Sequence, residues 1–503
     1  MSSGPATLIK DAWIWRGHAT SLRPVPEHVL IADGRIVAVG RDIGASDGTA
    51  VIDGNGMLLM PGLVNAHFHS SVNHMKGRLP SLPLELFMLQ ESPSLEVLRP
   101  SPREAYVRTM LGCLEMLRSG VTAVQDDAFF VPEPTEDVID AVLQAYADSG
   151  IRARVALDQS NLAEIGKFPF LAALVSEEQR RRLSRPPACG TGRLIELYRH
   201  LIGRWHGAEG ARLKAAISCS APQRVSADYA ALLERLSQQH DLPFYVHILE
   251  TRTQRALGVD RLAGRSLFGL ADDLGILSER TNIIHAIWAD DADLDLVAAR
   301  GAVVAHNPIS NLRLGSGVMR FRALRDRGIP IALGTDEAIA DDAVNMWSVA
   351  KTAGLIHNIA EPDYERWPDA LEILQCLIAG GHRAMRSDTG AGEIRPGAPA
   401  DVALIDLDTL AFTPLNDLHR QLVYCENGSS VRLTMVQGRV VYCDGRVTTV
   451  DEKAIRAEAR AFAEQRRAAL DEAASRAQEF APAYRAMYLK AVGLDLGMNR
   501  WVG

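Results

Sequence analysis

Pro61-Gly62-Leu63-Val64-Asn65-Ala66-His67-Phe68-His69 is an apolar run that closes on two histidines one residue apart. In an extended chain residues i and i+2 face the same side, so His67 and His69 can share one metal ion. Two structural histidines would leave the same trace, and the other strand ends have to decide between the readings. From about residue 60 to 390, short apolar runs alternate with helical periodicity, the pattern of βα units and a parallel sheet. The candidate strands are Leu63 to Ala66, Ala123 to Gln125, Arg154 to Leu157, Lys214 to Ser218, Phe244 to His247, Asn282 to His285, Ala302 to Ala305 and Ile331 to Gly334. Eight strands favour a closed (β/α)8 barrel, and such barrels carry their chemistry at the C-terminal ends of the strands. His247, His285, His306 and Asp336 stand at those ends after runs that are otherwise apolar. Packing does not explain them, and one rim would bring them together.

Both ends of the chain read differently from the middle. Thr7 to Trp15, Val29 to Ala32, Ile36 to Val39 and Val51 to Asp53 are strand-like, with an Asp33-Gly34 hairpin signal. The same texture returns at Ala400 to Asp406, Ser430 to Gln437, Val440 to Tyr442 and Val447 to Val450, with turns at Gly438 and Asp444-Gly445. Chain ends often lie close in space. The expected division is therefore a composite β-sandwich domain from residues 1–59 and 392–450, a barrel over 60–391 and a helical extension over 451–503. The segment from Asn161 to Gly192 is long and charged and reads as a loop or short helices near the mouth, a candidate lid.

The chain has 503 residues, 47% hydrophobic and 23% charged, which suits an enzyme with a large core and excludes disorder and collagen-like repeats. A formal charge of -8 leaves no excess of Lys and Arg to track a phosphate backbone, so nucleic acid is excluded as a partner and a neutral or cationic small molecule is favoured. Cys113, Cys189, Cys219, Cys376, Cys425 and Cys443 are scattered without pairing pattern, which points to a reducing cytoplasm. No signal peptide and no membrane span is expected, since no run of 18 uncharged apolar residues occurs.

Three imidazoles and one carboxylate form a nitrogen and oxygen set suited to Zn2+ or Fe2+, with a position left for water. Such an ion lowers the pKa of its water from about 15.7 towards roughly 7. Glu250, three residues beyond His247, lies where the chain leaves its strand. A carboxylate there can shuttle protons, a role typically contributing about 10^2- to 10^4-fold in rate; a helix-start Glu stabilised by the helix dipole would occupy the same position.

PGLVNAHFH, VHILETRTQ, IIHAIWADD, VVAHNPISNLRLGSG and ALGTDEA together resemble the landmarks of the amidohydrolase superfamily, in the branch of aminohydrolases and chlorohydrolases that includes guanine deaminase, S-adenosylhomocysteine deaminase and the s-triazine hydrolases. The resemblance spans nearly the whole chain. It implies His67, His69, His247 and Asp336 as metal ligands, Glu250 and His285 as groups acting on substrate and protons alongside Asp336, and His306 at the pocket edge, where it would bind substrate. Two departures stand out. Where many relatives have a His-rich strand end, this chain has Ser218-Cys219-Ser220-Ala221-Pro222-Gln223, which places a small hydroxyl, Ser220, towards the substrate and looks closest to the hydroxyatrazine ethylaminohydrolase type. The residue after the ligand Asp is Glu337, followed by Asp341 and Asp342. These acids either read an amino-substituted substrate, Glu337 foremost, or cap the next helix. No lysine ends a strand to bridge two metals, Lys214 being at the start of its strand, so one ion per chain is expected, zinc before iron.

The expected reaction is hydrolysis of a C–N bond at an amidine-like carbon, in a nitrogen-rich heterocycle, with release of ammonia or an amine. Amide or urea hydrolysis and dechlorination use the same parts, and a binding protein on an inactive barrel is the non-enzymatic alternative. Specificity is expected in loops such as Leu79 to Ser92 and Asn161 to Gly192. The expected assembly is a homo-oligomer, a dimer, with no membrane partner.

Overall fold

The structure is a computed structural model that describes residues 6–17, 25–91, 93 and 95–501. Residues 1–5 of the N-terminal segment and Ser92, the end of the 79–92 loop, lie outside the described residues. The middle of the chain is α/β, with eight parallel-strand segments that carry the site. They are β1 (Leu63–His69), β2 (Val121–Ala128), β3 (Arg152–Leu157), β4 (Leu213–Ala215 and Ile217–Ser218), β5 (Phe244–Ile248), β6 (Thr281–His285), β7 (Val303–His306) and β8 (Ile331–Leu333 and Asp336–Glu337). All eight expected strands are present, and most run one to three residues further than their apolar cores. The extra residues include polar ones, such as His67, His69, Asp126, Asp127 and His306, that backbone pairing holds extended, which hydrophobicity alone does not reveal.

The pairings fall into two five-stranded parallel sheets. The second half of β8 pairs with β1, and β2, β3 and the first half of β4 follow; the second half of β4 pairs with β5, and β6, β7 and the first half of β8 follow. β4 and β8 thus belong to both sheets. Each is interrupted for one or two residues, at Ala216 and at Gly334-Thr335. Gly334 is required by proximity, because a Cβ there would stand 2.8 Å from the backbone nitrogen of His67. Residues of β2 and β3 are buried without exception, as expected of strands covered on both faces.

The outer strands of the chain form one nine-stranded sheet, in which Met57–Pro61 pairs antiparallel with Val402–Asp406 and so joins the two ends. The Asp-Gly hairpins occur where the sequence places them: Asp33 and Gly34 have φ of 51° and 75°, Asp444 and Gly445 of 46° and 84°, the paired left-handed conformation of a type I′ turn. Beyond them the last strand is only Arg446–Val447 rather than Val447 to Val450.

Residues 161–192 are not an open loop. They form the short helices Glu164–Gly166, Leu171–Leu174 and Glu177–Leu183, with Thr191 opening a longer one, and Phe168, Leu171 and Val175 pack on Phe480 and on Tyr484 and Met487 of the helix Ala481–Val492 that follows it. The preceding helix, Glu452–Ala477, is tied down by Arg466, which donates to both oxygens of Glu104 at 2.6 Å. The final residues then reach the loop after β6: Arg500 donates to the carbonyls of Ile287 and Ala289. No described helix is long and apolar enough to cross a membrane.

Candidate active site

His67 and His69 project from the same side of β1, with ring centroids 4.6 Å apart, and the ring of His247 lies 4.9 Å from the first and 5.5 Å from the second. Asp336, at the start of the second half of β8, brings Oδ1 to 3.4 Å from His67 Nε2 and 3.5 Å from His69 Nε2. Backbone carbonyls fix two of the rings. His69 Nδ1 donates to Asp127 O, and His247 Nδ1 donates to Ser220 O at 2.8 Å, which leaves both Nε2 lone pairs facing the group, the usual way a metal-binding imidazole is oriented. Burial lowers the pKa of His67 and, with the neighbouring imidazoles, holds His247 well below the usual range. Asp336 is buried too, yet the imidazoles of His67, His285 and His69 keep its carboxyl well below its ordinary value.

The donor set fits a divalent ion. Nitrogen atoms of His67, His69 and His247 lie within 4.8 Å of one another, as do ligand atoms of His67, His285 and Asp336. His67 Nε2 is buried with no hydrogen-bond partner, an arrangement that is costly unless something occupies its lone pair. Neutral imidazoles and an ionised carboxylate are the protonation states that a metal requires.

Two groups border this cluster. His285 Nε2 is 3.4 Å from Glu250 Oε2 and 3.7 Å from Asp336 Oδ2. The Asn311 amide donates to His285 Nδ1 at 2.9 Å, so the ring hydrogen is on Nε2, facing the two carboxyls. Glu250 is pushed well above the carboxylate range, first by burial and then by the charges of Asp336 and Glu85. Its backbone nitrogen is held by Gln254, and Thr251, not Glu250, caps the helix that follows. His285, Asp336 and Ser220 all have positive φ, of 75°, 65° and 63°. For residues with a Cβ such backbones cost of order 1–3 kcal/mol each and tend to gather at functional sites.

The remaining residues named by the sequence are dispersed. Ser220 gives its carbonyl to His247, and its hydroxyl accepts from Arg224 at 3.1 Å. His306 turns away: its Nε2 lies 3.2 Å from His357 Nε2, and no group of metal-binding geometry among the described residues includes it. Glu337 is at the site, within reach of His69 and Asp336 and facing the buried carboxyl of Glu91. Asp341 and Asp342 are not with it. Asp342 accepts from Gly77 N at 2.7 Å and pairs with Arg313, while Asp341 faces Lys76. Neither caps a helix; Asn345 caps Met346–Ile356.

Several residues at the site are not evident from the sequence pattern. Ser310 donates to Asp336 Oδ2 at 2.8 Å, and Ser218 to Asp127 Oδ2 at 3.0 Å. Asn311, Glu91, Asp127 and Asp158 belong here as well. Ser310 and Asn311 stand on the short helix Pro308–Arg313 directly after β7, and a polar helix start at a strand end is the one signal that could have found them.

The amidohydrolase family pattern matches residues 58–441. The chain is 30% identical over 425 residues to the 5′-deoxyadenosine deaminase of Methanothermobacter thermautotrophicus, covering 84% of this chain and 91% of that protein. It is 33% identical over 435 residues to a 5-methylthioadenosine/S-adenosylhomocysteine deaminase of Nitratidesulfovibrio vulgaris, covering 84% and 88%. Among solved structures, an adenosine deaminase from Xanthomonas campestris with bound zinc superposes with a TM-score of 0.79 at 26% identity, covering 92% of this chain and 98% of that one. The atrazine chlorohydrolase of Arthrobacter aurescens TC1, complexed with zinc, shares the fold with a TM-score of 0.80 at 24% identity, over 91% of this chain and 100% of that one. The histidine and aspartate cluster at the strand ends thus lies within a matched region that spans most of the sequence, and the chain belongs to the amidohydrolase family.

Proposed function

We propose that this protein hydrolyses a C–N bond at an amidine-like carbon of a nitrogen heterocycle, releasing ammonia or an amine, with one divalent ion, zinc, held by His67, His69, His247 and Asp336. The observation that carries the reading is the buried set of imidazoles around Asp336, two of them oriented by backbone carbonyls, with Glu250 and His285 beside it. When bound, the ion acidifies a water molecule at the site towards a pKa of about 7, supplying a nucleophile at neutral pH. Asp336 Oδ2, positioned by Ser310, would hold the proton released as the nucleophile forms and return it to the departing amine. Glu250, whose carboxyl is raised well above the usual carboxylate range by burial and by the charges of Asp336 and Glu85, is the group that delivers a proton to the ring nitrogen next to the attacked carbon. His285 donates from Nε2 to the oxygen that develops charge, and Asn311 holds it in that tautomer. Ser220 acts through His247, whose ring its carbonyl orients, and Glu337 meets the substrate's amino groups.

The deaminases of adenosine-type nucleosides among the relatives support aminopurine nucleosides as the first compounds to test. Purified, zinc-loaded protein would be screened for ammonia and amine release against 5′-deoxyadenosine, 5-methylthioadenosine, S-adenosylhomocysteine, guanine, aminopterins, aminotriazines, guanidines and aryl ureas. Release from an aminated heterocycle is expected. Turnover confined to aryl ureas would replace this reading with urea hydrolysis, and turnover of none by metal-loaded protein would contradict it.

The architecture around this site is proposed as well. Sharing of β4 and β8 between the two sheets supports one closed (β/α)8 barrel over residues 60–391. A separate apolar core that joins Ile9, Ile14 and Ile36 to Val402, Leu433 and Met435 supports a composite sandwich of 1–59 and 392–450, with 451–503 as an extension. Leu355, Ile359, Tyr364 and Trp367 expose apolar surface on one short stretch, which supports a homodimer as the assembly. The six free cysteines support a cytoplasmic location.

A further inference from the structure

We propose that Asp158, backed by Asp127, is a specificity-determining residue that receives the N–H groups of a cationic, amidinium-like face of the substrate. The inference rests on reading this pocket as a C–N hydrolase site. It begins with β2, which ends in two adjacent acids, Asp126 and Asp127. Alternation along a strand sends them to opposite faces. Asp126 is fully engaged, accepting from Ser70 N at 2.9 Å and from the Tyr146 hydroxyl at 2.8 Å. Asp127 turns the other way, towards His247: Oδ2 accepts from Ser218, while Oδ1 is buried and has no partner, on a residue that is 0% exposed.

Asp158 follows β3, and its backbone nitrogen donates to Ala128 O at 2.9 Å, which sets it against the end of β2. Its carboxyl is half-buried and enters no hydrogen bond or ion pair among the described residues. Oxygen atoms of Asp127 and Asp158 and a nitrogen of His247 lie within 4.8 Å of one another. Two carboxyls so close repel each other unless a positive charge or a proton lies between them, and no Lys or Arg among the described residues pairs with either. His247 does not meet them with a free donor, since its Nδ1 hydrogen is committed to Ser220 O and its other ring edge faces His67 and His69.

A second metal ion is not the occupant this geometry suits. With Nδ1 protonated and Nε2 turned to His67 and His69, His247 has no lone pair left for another ion, and two carboxylates alone make a poor site for a nitrogen-preferring metal. A planar N–C–N fork is the better match, because its two N–H groups reach separate acceptor oxygens and its charge offsets both carboxyls. Asp127 Oδ1, buried and without a donor, is then satisfied together with Asp158.

The test is binding, so that it does not depend on turnover. Zinc-loaded Glu250→Gln protein, in which hydrolysis adds no heat, would be titrated calorimetrically with benzamidine and with its neutral isostere benzamide, with and without Asp158→Asn. Benzamidine should bind at least roughly tenfold more tightly than benzamide, and Asp158→Asn should weaken benzamidine by roughly 10- to 150-fold, the range for a lost charge-assisted hydrogen bond, while leaving benzamide within about twofold. Zinc content and melting temperature check that each protein is intact, and Asp158→Ser replaces the asparagine variant if that one misfolds. Equal affinities for the two probes, no measurable benzamidine binding, or a preference that survives loss of the Asp158 carboxyl would overturn the proposal. The hydrolase reading is tested separately by the ammonia screen, so a charge preference without turnover would leave this proposal standing and remove the other.

Discussion

The two ends of the parallel strands both carry ionisable side chains and use them differently. At the N-terminal ends the charges are mostly paired: Arg152 meets Asp401 at 2.8 Å, Lys214 meets Asp388 at 3.4 Å, and the buried Arg154 donates from Nε to the Met385 carbonyl, although its Nη1 has no partner. At the C-terminal ends, His67 Nε2, Asp127 Oδ1 and Glu91 Oε1 are buried without partners, and Glu250 and Glu337 are crowded against other carboxyls. Paired charges hold the N-terminal ends, whereas the unpartnered groups at the C-terminal ends are those that the proposed metal ion and substrate would complete. His306 shows that a histidine at a strand end is not enough, since its Nε2 faces His357 rather than the cluster.

The comparison breaks most readily at Glu250. Glu250→Gln keeps the shape and removes the proton donor, so kcat should fall by about 10^2-fold or more, with zinc content and melting temperature unchanged. Activity within a few-fold of wild type would return Glu250 to a structural role. The opposite end should show the converse. Arg152→Met leaves the Asp401 carboxylate buried and without its cation, which should cost about 3–5 kcal/mol of stability, read by urea unfolding, with kcat per folded molecule nearly unchanged. A large kcat effect from Arg152→Met would mean that the two ends are not functionally separate.

A smaller effect sharpens the same contrast. Ser310→Ala removes one hydrogen bond from Asp336 Oδ2, and a neutral donor to a charged acceptor is worth about 1.5–3 kcal/mol. kcat/KM should fall by roughly tenfold or somewhat more, while a steady-state KM close to wild type would place the loss in the chemical step. The smallest effect expected is none. Cys113 and Cys376 are pushed up to about 12 by burial, Cys219 is raised as well, and of the six cysteines only Cys425 and Cys443 are not buried. Thiol-blocking reagents should leave turnover intact, and inhibition with full zinc content would bring Cys219 into the mechanism.

Much of this organisation is legible in the sequence alone. His67, His69, His247, His285 and Asp336 follow apolar strand cores, and Asp33-Gly34 announces its turn, because both signals are local in sequence. The less legible parts depend on neighbours brought together by folding. Asp127 is one of two consecutive acids, and only strand alternation against Ser218 and Tyr146 separates its role from that of Asp126. Glu91 lies on the helix Leu84–Glu91, within the loop expected to set specificity, but nothing local shows that it faces Glu337. Asp341 and Asp342 resemble Glu337 in sequence and are drawn away by Lys76 and Arg313, a partnership between distant segments.

Metal content tests the central claim most directly. Elemental analysis of the purified protein should find one zinc or iron per chain, and His67→Ala with His247→Ala should lose it, whereas Glu250→Gln should retain it. Two metal ions per chain, or an ion retained by the double variant, would contradict the assignment of His67, His69, His247 and Asp336 as its ligands.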